Sequence, residues 1–205
     1  MSTSATAVLR MPVVLADVVP GARTRDAILV LAGALLTVLG AQVAIQVPPS
    51  PVPITGQTLA VVTAGAALGW RRGAASQLLY VLLGLFLPVY ADGEQGLDVI
   101  WGATGGYLVG FVLAAALIGR LAELGADRRP LLAFLAFCTA QLTIFGIGVP
   151  WLQVSTGMSW SSAIHDGFTI FVVGGIIKAA IGAAVVPAAW RAVRRIDRSR
   201  QDGMS

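Results

Sequence analysis

Long runs without a charged residue alternate along this chain with short clusters of arginine or of acid. No Asp, Glu, Lys or Arg occurs from Ala27 to Trp70. The PPSPVP segment at Pro48 to Pro53 interrupts that run, because proline removes a backbone donor and clashes with the preceding turn. The pattern predicts helices over about 27–46 and about 54–70, and a third over about 73–91 with Pro88 near its end. Three more follow over about 99–119, about 130–152 and about 167–190. Arg71 and Arg72 close the second turn, and Asp92, Glu94 and Asp98 mark the loop after the third helix. A helix needs about 20 mostly apolar residues to cross a hydrocarbon core of about 30 Å, and these stretches are long enough to do so with some tilt. The fold class that follows is all-α: a polytopic membrane protein with six transmembrane helices in one domain over 27–190. A tail over 1–26 precedes it and a basic tail over 191–205 follows.

Composition agrees. Of 205 residues, 57% are apolar and 12% charged, and the mean hydropathy is +0.82. A soluble domain carries about twice that share of charge, so soluble, disordered and disulfide-framed classes are excluded. Cys138 has no second cysteine to pair with, and His165 is the lone histidine, which leaves little for metal or acid–base chemistry; no cofactor is expected. The net charge of +4 does not point to nucleic acid, since no soluble module offers a basic face.

The arginines order the chain across the membrane instead. Arg10, Arg23, Arg25, Arg71, Arg72, Arg120, Arg128, Arg129, Arg191, Arg194, Arg195, Arg198 and Arg200 all fall on one face of the six-span arrangement. The opposite loops hold Asp92, Glu94, Asp98 and Asp166. Positive residues stay on the cytoplasmic side, so both termini are expected there, with the last arginines touching anionic membrane lipids. Trp70, Trp101, Trp151, Trp160 and Trp190 lie near expected helix ends, where indole rings favour the headgroup layer. The apolar run Met11 to Ala16 is too short for a secretory signal and is broken by Pro12.

The candidate chemistry is sparse. The only lysine, Lys178, follows Ile177, so no Gly-Lys phosphate loop exists, and no histidine pair exists for a metalloprotease helix. An enzyme is not expected. Lys178 is the one charge inside a predicted span, about eleven residues or roughly 16 Å from its outer end. Gly174 and Gly182 flank it at helical spacing, on the smooth side that packs against other helices. No carboxylate sits at 174, 175, 181 or 182, so the ammonium needs a partner from a loop or a ligand. A ligand carboxylate is the sharper reading; a structural lysine bonded to helix carbonyls, or one snorkelling outward, is the plainer one.

The proline-rich loop between the first two helices is stiff and uncharged and reads as a lid. Gln57 and Thr58 just inside the second helix, with Tyr90, Asp92 and Glu94 on the facing loop, describe a small amphiphilic pocket above the lysine. The stripe Gly102, Gly106, Gly110 allows close approach of a neighbouring helix or a ligand. The stripe Gly33, Thr37, Ala41 in the first helix reads equally as internal packing or as a docking face for a partner membrane protein.

Three blocks carry a family likeness: PVPITGQTL at Pro51 to Leu59, GATGGYLVGF at Gly102 to Phe111, and the glycine-rich entry to Lys178. With similarity from about Ala27 to Trp190, the chain resembles the BioY family, the biotin-specific S components of energy-coupling factor (ECF) vitamin transporters. The resemblance implies an S-component bundle in the plasma (inner) membrane of a bacterium. It would bind biotin from outside with high affinity and dock with a transmembrane coupling protein carrying two ATPase subunits, which fits the missing phosphate loop. The implied binding residues are Thr55, Gln57, Tyr90, Asp92, Thr104, Tyr107 and Lys178. Where the family reads Gly-Asp-x-x-Lys, this chain has Gly174-Gly175-x-x-Lys178; the acid is missing, and Asp92 or Glu94 is expected to compensate. Two alternatives stay open: a stand-alone permease for the same vitamin, and an S component for another one. A cationic ligand is disfavoured by the unpaired lysine, and a flavin would want a wider aromatic pocket.

Overall fold

The computed structural model describes the chain over residues 13–18 and 23–202. Arg10 and the first twelve residues of the expected tail lie outside the described residues, as do the side chains of Arg194, Arg198 and Arg200 and the end of the chain after Asp202.

Helix α1 (Arg23–Ala41) leads into a two-stranded antiparallel hairpin, β1 (Ala44–Ile45) and β2 (Ile54–Thr55), paired Ala44 to Thr55 and Ile45 to Ile54. Helices α2 (Gln57–Leu68) and α3 (Trp70–Gly84) follow, joined by Gly69 alone. Its φ of +82° is left-handed backbone that favours glycine, and it lets the chain reverse within one residue. The short α4 (Leu97–Trp101) precedes α5 (Gly105–Glu123), α6 (Pro130–Thr156), the short α7 (Trp160–Gly167) and the long α8 (Val172–Asp202). The six longer helices make one bundle. Its core is threaded with alanine and glycine, around fully buried Tyr80, Phe137, Ile118, Ile144 and Leu152. Large apolar side chains such as Leu31, Leu35, Leu39, Leu135, Leu142 and Val173 face outward. A surface this apolar needs hydrocarbon around it.

Among the described residues four stretches are long and apolar enough to cross a membrane: Arg23–Ala41, Gly105–Glu123, Pro130–Thr156 and Trp160–Val193. Helices α2 and α3 have 12 and 15 residues, about 18 and 22 Å at 1.5 Å per residue, shorter than expected from the charge map. A charge-free run does not distinguish helix from an apolar lid, and residues 44–55 are lid. At the other end, α3 stops at Gly84: the donor four residues on would be Pro88, which has no N–H, and the Gly84 carbonyl accepts instead from the Gly96 N–H at 2.7 Å. The expected fourth helix is broken at Gly102–Thr104 into α4 and α5, and α8 starts later than expected because Phe168 to Phe171 forms a tight turn.

The loops gather into two ends, as the charge map requires. At the arginine-rich end, Arg72 pairs with Asp17 (2.9 Å) and Asp26 (3.2 Å), and Glu123 accepts from the Trp70 backbone N–H. Val14 and Ala16, expected in a tail, are buried in the bundle there, and α8 carries helix well past Trp190 into the other expected tail. Asp127 is buried and accepts from the Trp190 indole at 2.5 Å, while the Arg128 guanidinium lies over that indole at 4.6 Å. Burial pushes the Asp127 carboxyl above its ordinary range, against the opposing pull of the indole N–H and Arg128.

Candidate functional site

The lid is the β1–β2 hairpin, stiffened by the prolines between its strands. Its tip is latched across the bundle by Ser50, whose hydroxyl donates to the Asp166 carbonyl at 2.8 Å. Its flank is held by Gln46, which donates to Asp92 at 2.5 Å. Beneath it a cleft of about 610 Å³, continuous with solvent, is walled by the lid residues Gln46 and Pro51 to Pro53, by Tyr90 and Asp92, and by Thr104, Tyr107 and Phe111. Thr55 and Gln57 form its floor. The Thr55 hydroxyl donates to Gln57 Oε1 (2.8 Å), and Gln57 Nε2 donates to the Tyr80 hydroxyl (2.5 Å).

Lys178 does not line this cleft. It sits in an adjoining cavity with Thr58, Gln141, Phe145, Phe171 and Gly175, and the lid residues Pro53 and Thr55 wall both spaces. Its ammonium donates to the Thr55 backbone carbonyl at 2.5 Å and to the Thr58 hydroxyl at 3.0 Å. Among the described residues no carboxylate pairs with it. The side chain turns into the bundle as expected; Val172 opens α8, so Lys178 stands about 9 Å along that helix. Asp92 and Glu94 line the cleft and not the lysine's cavity, so they do not supply the acid missing at Gly175.

The structure brings Thr55, Gln57, Tyr90, Asp92, Thr104 and Tyr107 together around one cleft, although several polar atoms are already engaged. Tyr90 donates to the Val81 carbonyl at 2.7 Å, Tyr107 to Gly167 at 2.9 Å, and Thr104 to Val99 at 3.3 Å. The two tyrosines therefore offer the cleft a ring face and not a free hydroxyl. The docking expectation for Gly33, Thr37 and Ala41 is corrected: all three are buried within the chain. Thr37 donates to Gln77 (3.1 Å), and a Cβ at Gly33 would meet Leu68 and Ser76 at 2.9 Å. Small side chains let α1 lie directly on α2 and α3, so the stripe is packing. Gly106 and Gly110 pack likewise, under Trp151 and the Ile144 backbone of α6.

Sequence reasoning missed Gln141, Ser50, Gln46 and Tyr80. Gln141 had a usable signal, an amide inside an apolar span; Ser50 and Gln46 act through partners 116 and 46 residues away, which no local pattern reveals.

A membrane-embedded helical bundle with a stiff lid over a polar cleft, and one ammonium held inside, is the architecture of a solute-binding transport protein. The BioY family profile matches residues 7–195. The chain is 36% identical over 154 residues to "Biotin transporter BioY2" of Lactococcus lactis subsp. cremoris, covering 74% of this chain and 82% of that one. It is 34% identical over 169 residues to "Biotin transporter BioY" of Rhizobium etli, covering 78% and 90%. Its fold matches a crystal structure of the S-component for biotin from an ECF-type ABC transporter with a TM-score of 0.74 at 22% identity, over 84% of this chain and 95% of that one. The chain belongs to the BioY family, and is a membrane transport protein rather than an enzyme.

Proposed function

We propose that this chain is the biotin-binding S component of an ECF-type transporter, taking up biotin with energy from two ATPase subunits through a transmembrane coupling protein. In this reading all six long helices span the membrane, α2 and α3 with the help of their flanking lid and loop residues. Both termini are cytoplasmic in this reading, which the arginine distribution supports. The observation that carries the binding role is the lysine under the lid: Lys178 reaches from α8 to hold the Thr55 carbonyl. A polar group of an incoming solute is able to take that carbonyl's place. Displacing the Pro53–Thr55 wall would join the cleft and the lysine's cavity into one space with polar groups in both parts, suited to a ligand with a polar group at each end. Thr55, Gln57, Tyr90, Asp92, Thr104, Tyr107 and Lys178 are its binding residues.

The test is uptake of labelled biotin in cells without their own biotin transporter, expressing the chain alone or with a coupling protein and ATPase pair. Uptake only with the complete module is the expected result. Full uptake by the chain alone would make it a permease, and purified protein that binds no biotin would remove the substrate assignment.

A further inference from the structure

Gln141 lines the lysine's cavity with half of its amide unspent. The side chain is 5% exposed. Its Nε2 donates to the Gly175 carbonyl at 2.8 Å. That bond fixes the amide's orientation, because the flipped arrangement would set two acceptors against each other. Its Oε1 is buried and has no hydrogen-bond partner among the described residues. It lies over the bare face of Gly175, 3.1 Å from the point a Cβ there would occupy. A side chain at 175 would fill this space; glycine leaves it to the amide oxygen. A buried acceptor left unpaired is unfavourable, and here it shares a cavity with Lys178, Thr58 and the aromatic walls Phe145 and Phe171.

We infer that Gln141 is a specificity-determining residue of the binding site, its Oε1 accepting from a ring N–H of a cyclic urea. The inference rests on the biotin reading and deepens it. Lys178 and Thr58 supply donors and Gln141 an acceptor within one cavity, a pattern complementary to a group that carries C=O beside N–H. A carboxylate has no N–H to offer and would set a negative oxygen against the acceptor Oε1. The ureido ring therefore occupies the Lys178 cavity and the carboxylate end lies in the open cleft.

The experiment measures dissociation constants on purified full-length protein for biotin and for the two cyclic carbamates in which oxygen replaces one ring N–H. Wild type is expected to bind one carbamate at least ~10-fold more weakly than biotin, the size of one buried unpaired acceptor. Gln141→Met should weaken biotin by a similar factor and abolish the discrimination, while Gln141→Glu, which keeps an acceptor, should retain it. The ratio between the ligands is the decisive readout, since damage to packing alone would weaken both alike. If Gln141→Met fails to fold, Gln141→Glu carries the test: loss of discrimination there overturns the inference. So does wild type binding biotin and both carbamates equally, or Gln141→Met discriminating as wild type does. Wild type that binds biotin without discriminating defeats the role of Gln141 alone, whereas wild type that binds no biotin defeats the substrate reading and this role with it.

Discussion

Replacing Lys178 by methionine keeps an unbranched apolar stem and removes the ammonium. In the ligand-free chain this deletes the bonds to the Thr55 carbonyl at 2.5 Å and the Thr58 hydroxyl at 3.0 Å. Hydrogen bonds to a charged group contribute about 1.5–3 kcal/mol each, but the ammonium is also removed from a site where burial disfavours it, so fold stability changes little. The lid keeps its strand pairing and its Ser50 and Gln46 latches. The loss falls on the complex. A ligand group brought to this site would be desolvated opposite a methyl, and truncating one side of a buried charged contact costs about 2–5 kcal/mol. At about 1.4 kcal/mol per tenfold, biotin affinity should fall by at least ~30-fold in Lys178→Met. Calorimetric titration of the purified protein in nanodiscs, with a thermal melt to show an intact fold, makes the measurement. A dissociation constant within about threefold of wild type on a normal melt would refute the role of Lys178, since so small a loss lies below what truncating a buried charged contact costs.

The Ser50 hydroxyl latches the lid tip to Asp166 at 2.8 Å, and Ser50→Ala should speed biotin release about fivefold, the size of one net hydrogen bond of about 1 kcal/mol; an unchanged rate in a stopped-flow chase would show that the tip does not gate release. A Cβ at Gly110 would meet the Ile144 Cα at 2.9 Å, whereas Gly146 has open space around it. Gly110→Ala should therefore destabilise by about 1–3 kcal/mol and Gly146→Ala should leave the melting temperature almost unmoved; equal melts would contradict the close packing of α5 on α6. Burial raises the Asp127 carboxyl above its unfolded value of 3.8, so the folded chain holds that proton more tightly than the unfolded one. Its ionised form weakens the fold at neutral pH, and the penalty is relieved as pH falls through the raised folded value, fully so below the unfolded one. Asp127→Asn keeps an acceptor for Trp190 and should melt higher than wild type at pH 7, with the gap closing on acidification; a gap independent of pH would assign the effect to packing.

The charge map alone told lipid from water. Charge-free runs, arginines confined to alternate loops and a proline-broken segment were enough to place the bundle, its two ends and the lid, because the cost of burying charge in hydrocarbon acts on each residue by itself. The same map misjudged α2, α3 and α5, since an apolar lid and an apolar helix cross the same one-dimensional filter. It also left the Gly33, Thr37, Ala41 stripe undecided, because small residues suit an internal and an external neighbour equally.

Sequence by itself determined the apolar surroundings, the helical class, the lone lysine and, through three short blocks, the family. Tertiary structure decided what that cation touches: the Thr55 carbonyl 123 residues away and the Thr58 hydroxyl 120 residues away, with Gln141 brought in from a third helix. The reason is physical. Hydropathy is a property of each residue and its near neighbours, whereas a hydrogen bond between α8 and the lid exists only after packing has brought distant segments within about 3 Å.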